Sequence, residues 1–151
     1  MKIDIKKILP KDPSSFNGFT SIRILTALYL LVAVARSCIH FFAEDGGAES
    51  IAGIDVSVAG GNNIIAIFHQ WGATQLLLAL FLVLLFFRYP GLTPLILLSL
   101  AMDPVVRAIA GQFKAVTAAG TPPGESLNWA AFYFISVLFI ASLVEKKSKK
   151  D

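Results

Sequence analysis

The sequence is poor in charged residues and almost without cysteine. Only 15% of its 151 residues are charged, whereas 56% are hydrophobic and the mean hydropathy is +0.70. Soluble domains carry about 25% charged residues, so this composition excludes an ordinary soluble domain and a disordered tail and places the chain in a bilayer. The single cysteine, Cys38, excludes an intrachain disulfide, a redox pair and a cysteine-rich metal site.

The excess of positive charge lies at the two ends of the chain. The net charge is +3, and eight lysines flank the apolar part of the sequence: Lys2, Lys6, Lys7, Lys11, Lys146, Lys147, Lys149 and Lys150. Basic clusters in these positions are typical of membrane flanks rather than of a nucleic-acid-binding surface. We therefore expect membrane lipid, and no nucleic acid, as a partner.

Four apolar segments are candidates for crossing a membrane. A spanning helix needs about 20 residues, because roughly 30 Å of hydrocarbon is crossed at about 1.5 Å per residue. The predicted spans are residues 19–42, 64–87, 92–111 and 127–144, joined on one side by an acidic, glycine-rich loop over residues 44–63. They predict an all-α integral membrane protein, a single four-span domain over residues 1–151, folded as an antiparallel four-helix bundle.

The first segment has a second interpretation. Basic residues precede it, and Ala33-Val34-Ala35 fits the small-residue pattern of a signal-peptide cleavage site. The apolar stretch nevertheless continues past that point, through Ile39, Phe41 and Phe42. We therefore expect this segment to be a spanning helix.

The distribution of lysine and arginine predicts the orientation. The N-terminal stretch, the 88–91 turn and the C-terminal tail hold four, one and four basic residues, whereas the loops over residues 44–63 and 112–126 hold only Lys114. Basic residues accumulate on the cytoplasmic side of membrane proteins. The sequence thus predicts a multi-pass protein of the inner, or cytoplasmic, membrane with both termini in the cytoplasm.

Apart from Arg23, the strongly polar side chains within the predicted spans fall in the half nearer the outside. Antiparallel helices rising about 1.5 Å per residue place Arg36 roughly 9 Å and Asp103 roughly 12 Å below the outer boundary. Charged and strongly polar groups are costly in hydrocarbon and usually face a partner or a cavity. The candidate ligand-binding residues are Arg36, His40, His69, Gln70, Gln75, Asp103, Arg107 and Asn128.

Residue spacing relates these groups to one another. Arg36 and His40 are four residues apart and share one helix face, and so do Asp103 and Arg107. An acid four residues before a base favours an ion pair within the helix, while Pro104 loosens the local helix and frees a carbonyl. With one carboxylate for two guanidinium groups, the second arginine needs a lipid phosphate, a substrate anion or water.

Several of these groups also have a purely structural interpretation. His40 and Arg107 lie near enough to the boundary to reach the headgroups, and the pair of Asp103 with Arg107 also fits a helix-locking role. Arg36 is too deep for a routine flanking residue. Arg23, near the inner boundary, is expected to extend its side chain to the headgroups.

The remaining candidates are weaker as sites of chemistry. His69 adjoins a tryptophan typical of an interfacial anchor, and Gln70 and Gln75 are typical of hydrogen bonds between helices. The two histidines and the buried acid show no helical metal-ligand spacing, so no metal site is predicted. Nucleophile, phosphate-loop and dinucleotide motifs are absent from the sequence.

Four short-looped spans, cytoplasmic termini, a glycine-rich outer loop and a His69-Gln70-Trp71-Gly72 sequence followed by Gln75-Leu76 form a recognisable pattern. With Arg36 in helix one and Arg107 in helix three, it resembles the DoxX-like group of small four-helix bacterial membrane proteins over residues 19–144. Some members of that group are associated with quinone-linked sulfur oxidation or with redox partner complexes. The resemblance implies a four-helix fold and names a quinone as the candidate cofactor.

Three functions from different classes follow from these patterns. The first is a binding or accessory protein that holds a lipid, a quinone or a small amphiphile in a polar pocket in the outer half of the bilayer. The second is a membrane enzyme in which His40 or His69 acts as acid–base, Asp103 orients it and Arg36 stabilises an anion. The third is a transporter subunit, which would need a homo-oligomer or a membrane complex because four helices enclose little space.

Overall fold

The computed structural model of the protein describes residues 3–144, and its regular elements are helical. The helices are α1 (Thr20–Phe42), α2 (Gly61–Arg88), α3 (Thr93–Phe113), α4 (Pro123–Ser126) and α5 (Asn128–Ser142). Single 3₁₀ turns lie at Ile5–Lys7 and Pro90–Leu92. Across residues 3–144 no strand is present, although Ile3 pairs with Val144 in an isolated antiparallel bridge. The prediction of an all-helical protein is confirmed.

Three helices are long and apolar enough to cross a membrane. They cover Thr20–Phe42, Gly61–Arg88 and, with the preceding 3₁₀ turn, Pro90–Phe113. Each exceeds the roughly 30 Å of hydrocarbon at about 1.5 Å per residue. The outward faces are rich in exposed apolar side chains, among them Leu77 and Phe87, which suits contact with lipid rather than with water. By length and composition, these helices indicate a helical membrane protein.

The fourth predicted span forms a shorter helix. Helix α5 has 15 residues, which corresponds to about 22 Å, less than the hydrocarbon thickness. Its start is delayed by the turn of α4, which begins at Pro123. Its end tightens because Leu143 and Val144 donate their N–H groups to carbonyls only three residues earlier, at 3.2 Å each. The segment 127–144 is uncharged, and its α-helix covers all of it except one residue at the start and two at the end.

The long helices associate in two pairs that share one core. Helix α1 packs chiefly on α2, and α3 packs chiefly on α5. Buried apolar side chains from all four helices meet in a single cluster: Ile22, Leu30, Leu82, Phe86, Ile96, Leu97, Leu100, Ala101, Ile135 and Leu138. The polar candidates on α1 and α3 lie beyond this cluster, toward the loops that follow those two helices. The core thus fixes the two helices on which the charged candidates stand.

Arg23, which the sequence predicts to extend to the headgroups, is half-buried and hydrogen-bonded to the protein itself. Its guanidinium lies 4.1 Å from the centroid of the Phe86 ring and donates to the Phe86 carbonyl at 3.2 Å. It also donates to the Thr93 hydroxyl at 3.1 Å and to the Pro90 carbonyl at 3.4 Å. Arg23 therefore ties the start of α1 to the connection between α2 and α3.

The segment before α1 crosses the same end of the molecule. Beside the bridge between Ile3 and Val144, the Asp4 N–H donates to the Leu143 carbonyl at 3.1 Å. Further along, the Pro13 carbonyl accepts from the Gly91 N–H at 2.8 Å. We call residues 3–15 the N-terminal arm. The arm runs from the end of α5 to the connection between α2 and α3. The lysines predicted to flank the membrane at positions 146–150 lie outside the described residues.

Candidate anion site at the Arg36 end

Both histidines lie where α1 meets α2 and the loop between them. His40 is buried, and its Nδ1 lies 2.8 Å from the carbonyl oxygen of Gly46. His69 is half-buried, and its Nδ1 lies 3.0 Å from the carbonyl oxygen of Phe41. Each imidazole is therefore oriented by a backbone carbonyl. Neither ring is hydrogen-bonded to Asp103, which pairs with Arg107 instead.

Asp45 organises the loop that holds His40. Its carboxylate accepts from the Ser50 N–H at 2.7 Å and the Ser50 hydroxyl at 3.0 Å, and also from the N–H groups of Gly47 and Glu49 at 2.8 and 3.0 Å. These hydrogen bonds, the one from the Ser50 backbone foremost, lower the pKa of Asp45 from 3.8 to about 2. The resulting turn presents the Gly46 carbonyl, at φ +61°, to the imidazole.

Gly72 allows α1 and α2 to touch backbone to backbone. A Cβ at this position would lie 2.5 Å from the carbonyl carbon of His40 and 2.7 Å from the nitrogen of Phe41. The preceding residue, Trp71, contacts two candidates at once. Its ring centroid is 4.7 Å from that of His40, and the Arg36 guanidinium carbon lies 5.2 Å from the Trp71 ring. The close approach of the helices thus brings Trp71 into contact with both the histidine and the arginine.

The charged residues of α1 and α3 converge at the short turn before α5. Arg107 donates from Nη1 to the Gly124 carbonyl at 3.2 Å. A Cβ at Gly124 would lie 3.4 Å from Nη1 of Arg107 and 3.6 Å from Nη2 of Arg36. The two guanidinium groups therefore flank the same point. We call Arg36, Asp103, Arg107 and Gly124 the arginine cluster.

Within this cluster only one arginine has an acidic partner. Nε of Arg107 lies 3.1 Å from Oδ2 of Asp103, at side-chain exposures of 27% and 46%. The contact is an ion pair without hydrogen-bond alignment, because Nε has no acceptor in line with its hydrogen. Arg36 is half-buried and lies against Trp71, and within residues 3–144 no carboxylate or carbonyl pairs with its guanidinium. The cluster has one more positive charge than negative charges.

Asn128 joins α5 to α3 beside the cluster. The residue is buried, and its Nδ2 donates to the Pro104 carbonyl at 2.9 Å. The acceptor is the carbonyl of Pro104 itself and not the carbonyl that this proline leaves without its helical donor. Oδ1 of Asn128 is buried and has no hydrogen-bond partner within the described part of the chain. Asn128 therefore fixes the height of α5 against α3 and leaves one acceptor free.

Two members of the site have no counterpart among the sequence candidates. Tyr29 lies within electrostatic range of Arg36, Asp103 and Arg107. Its spacing of seven residues from Arg36 puts both on one face of α1, and this periodicity is the signal that identifies it. Gly124 carries no such signal, because its role depends on how the loop after α3 folds back.

The structure divides the predicted site into parts. Arg36, Asp103 and Arg107 come together, with Asn128 adjacent through Pro104, whereas the Nδ1 atoms of His40 and His69 contact backbone carbonyls. Gln70 is exposed and Gln75 is half-buried, and neither joins the cluster. In the described chain, residues 3–144, no three His, Cys, Asp or Glu side chains are grouped to hold a metal ion.

The length and hydropathy of the helices indicate a membrane protein, and the charged cluster lies at one end of it. Comparison with protein-family models, with curated proteins and with solved structures finds no match for it.

Proposed function

We propose that this protein binds the anionic headgroup of a membrane amphiphile at the arginine cluster. One observation carries the proposal: the guanidinium groups of Arg36 and Arg107 flank Gly124, while Asp103 is the cluster's one carboxylate. An unbalanced guanidinium in a half-buried position is costly unless an anion neutralises it. The planar donor fork of arginine matches phosphate and carboxylate oxygens.

The surroundings of the cluster favour an amphiphile. Gly124 has no side chain, so the space between the two guanidinium groups stays open to an oxygen-bearing group. The exposed apolar faces of the neighbouring helices suit hydrocarbon chains. A lipid or another anionic amphiphile satisfies both conditions, whereas a quinone has no formal charge to balance the extra guanidinium. Among the ligands that the sequence allowed, an anionic lipid is therefore preferred.

The proposal includes four spans, with α5 as the fourth in an antiparallel bundle. In support, the N-terminal arm meets the end of α5 through Ile3 and Val144, so the first and last described residues lie at one end of the molecule. The basic residues of the sequence favour the cytoplasmic side of the inner membrane for that end. A DoxX-like relationship and a homo-oligomer or membrane complex stay predictions.

The two alternatives receive less support from the geometry. An acid–base enzyme that uses Asp103 to orient a histidine would need those groups in contact, but both imidazoles face backbone carbonyls. A transporter subunit would need a continuous polar path, and the shared core below the cluster is apolar. Anion binding requires only the groups that the structure places together.

Lipid retention measures the proposed binding. The full chain in detergent would be titrated with phosphatidylglycerol, and bound lipid would be counted by native mass spectrometry. Arg36→Gln and Arg107→Gln each remove one charged hydrogen-bonding partner, worth about 1.5–3 kcal/mol, so we expect roughly 10- to 100-fold weaker binding. Inorganic phosphate as competitor separates a headgroup-only site, which it displaces, from one that also needs the acyl chains.

Two variants control for the loss of a positive charge. Lys114→Gln removes an exposed lysine near the same end, and Arg88→Gln removes an exposed arginine beside Tyr89 at the other end. Both should bind phosphatidylglycerol as the unaltered protein does. The proposal fails if the controls weaken binding as much as the cluster variants, or if correctly folded Arg36→Gln and Arg107→Gln proteins retain full affinity.

A further inference from the structure

The N-terminal arm presents large apolar side chains that the rest of the described protein leaves uncovered. Ile3, Ile5 and Leu9 are 56%, 72% and 71% exposed. Lys6 and Lys11, which lie among and just after them, are exposed as well. A stretch that alternates apolar and basic residues has the composition of a segment lying in a membrane interface.

These exposed side chains belong to a segment whose backbone is fixed in place. At its start the arm pairs with the end of α5 through Ile3 and Val144, and the Lys7 ammonium donates to the Val144 carbonyl at 3.1 Å. At its other end the Pro13 carbonyl accepts from Gly91. The Asp4 carboxylate accepts from the Lys6 N–H at 3.0 Å and holds the first turn. The backbone is thus anchored at several points while its apolar side chains face away.

The position of the arm identifies what covers it. It crosses the molecule where α5 ends, where α2 connects to α3 and shortly before α1 begins. In a membrane-spanning protein, that level is the boundary between hydrocarbon and headgroups. Apolar side chains at this level contact the acyl region, and lysines there meet lipid phosphates.

We propose that residues 3–11 form an interfacial anchor for an anionic leaflet, with Ile3, Ile5 and Leu9 in the acyl boundary and Lys6 and Lys11 on lipid phosphates. Each exposed lysine then contributes roughly a five-fold preference for an anionic over a neutral surface. The anchor lies at the opposite end of α3 from the arginine cluster. It is independent of ligand binding there.

Spin-label accessibility in the full chain tests this anchor. Labels would be placed at Ile5→Cys and Leu9→Cys, with Ser14→Cys as an exposed polar control on the same arm, all in a Cys38→Ser background. The proteins would be reconstituted into phosphatidylcholine vesicles with and without phosphatidylglycerol. We expect several-fold more collision with oxygen and several-fold less with a water-soluble nickel complex at positions 5 and 9 than at position 14.

Charge-reduced variants test the lipid specificity. Adding phosphatidylglycerol should change the oxygen and nickel accessibility of the labels at positions 5 and 9. With Lys6→Gln and Lys11→Gln together, this change should fall by an order of magnitude, whereas Lys114→Gln, outside the arm, should leave it unchanged. Equal nickel access at positions 5, 9 and 14 overturns the proposal. Protection that disappears when labelled protein is diluted with unlabelled protein also overturns it, since a second copy would then be the cover. Retained thermal stability of each variant shows that the arm's backbone contacts are intact.

Discussion

Arg23, in the first turn of α1, donates from Nη2 to the carbonyl oxygen of Phe86, in the last turn of α2, at 3.2 Å. This carbonyl would normally accept from the N–H of the residue four positions later, which is Pro90 and has none. The arginine therefore supplies the donor that the proline removes. Near a bilayer, an unsatisfied carbonyl is especially costly, and a cation at a helix C-terminus also opposes the negative end of the helix dipole.

Replacing Arg23 should destabilise the protein. Arg23→Met keeps most of the apolar stem but leaves the Phe86 carbonyl without its donor, so we expect a loss of about 2 kcal/mol. Arg23→Lys should lose less, because an ammonium donates from a single point. Equilibrium unfolding in mixed micelles measures both changes. Arg88→Met, at an exposed arginine near the same end, is the control and should change stability little.

The crossing of α1 and α2 should not tolerate a methyl group. In Gly72→Ala the new Cβ would meet backbone atoms of His40 and Phe41 that cannot rotate away, and overpacking of this kind costs about 1–3 kcal/mol. Gly111→Ala is the matched control, since it also replaces a helical glycine but has no atom within 4 Å of the added Cβ. It should be neutral or stabilising by up to about 1 kcal/mol. Equal effects of the two substitutions on unfolding would contradict the close crossing.

The loop between α1 and α2 should lose its order in strong acid. The folded pKa of Asp45 is about 2, below its ordinary value of 3.8. A depressed carboxyl pKa means that the stabilisation is fully present above the ordinary value and is lost as the pH falls through about 2. Carboxyl and amide chemical shifts of Asp45, Gly47 and Ser50 should therefore titrate together near that pH.

A control carboxylate lies in the same loop. Asp45→Asn should shift the Gly47 and Ser50 amide signals at neutral pH, because the amide oxygen is a weaker acceptor than the carboxylate. Among residues 3–144, Asp55 accepts only from Ser57, so Asp55→Asn should leave those two amide signals where they are. If Asp45 titrates near 3.8 in the folded protein, its four hydrogen bonds are not formed in solution.

If the ligand at the arginine cluster is an anion, Asp103→Asn should raise its affinity. This substitution removes the one carboxylate that competes with an incoming anion for Arg107. Partly exposed ion pairs contribute up to about 1 kcal/mol, so phosphatidylglycerol should bind about 2- to 5-fold more tightly. Lipid counting by native mass spectrometry at several lipid concentrations provides the affinity. Weaker binding would instead mean that Asp103 itself contacts the ligand.

The apolar runs predicted the long helices well, because stretches of this length and hydropathy have few other folded forms. Residues 19–42 became Thr20–Phe42, while α2 begins at Gly61, three residues before the predicted start. The exact ends of the fourth helix were harder to predict from the sequence, because they follow from a proline-initiated turn and a tightened last turn. Hydropathy alone predicts neither of these two turns.

For the site, residue spacing and depth predicted one group that includes Arg36, the histidines, Asp103 and Arg107. The structure places the guanidinium groups of Arg36 and Arg107 at the same point and pairs Arg107 with Asp103, whereas the Nδ1 atoms of His40 and His69 contact backbone carbonyls. Depth fixes height along a helix but not the direction in which a side chain points, so it could not predict those carbonyl contacts. The partners of Arg23 escaped prediction for a related reason: the Phe86 carbonyl is left without a donor by Pro90, which is distant in sequence from Arg23 and adjacent only once two helices have packed.

The bridge between Ile3 and Val144 also constrains the order of biogenesis. The backbone groups that receive the N-terminal arm, the carbonyls of Leu143 and Val144, follow it far along the chain, with Val144 137 residues after Lys7. Until those residues are synthesised the arm has no docking site, however early α1 enters the membrane. Closure of the arm therefore reports the arrival of α5, and a nascent chain arrested before Leu143 would have the arm undocked.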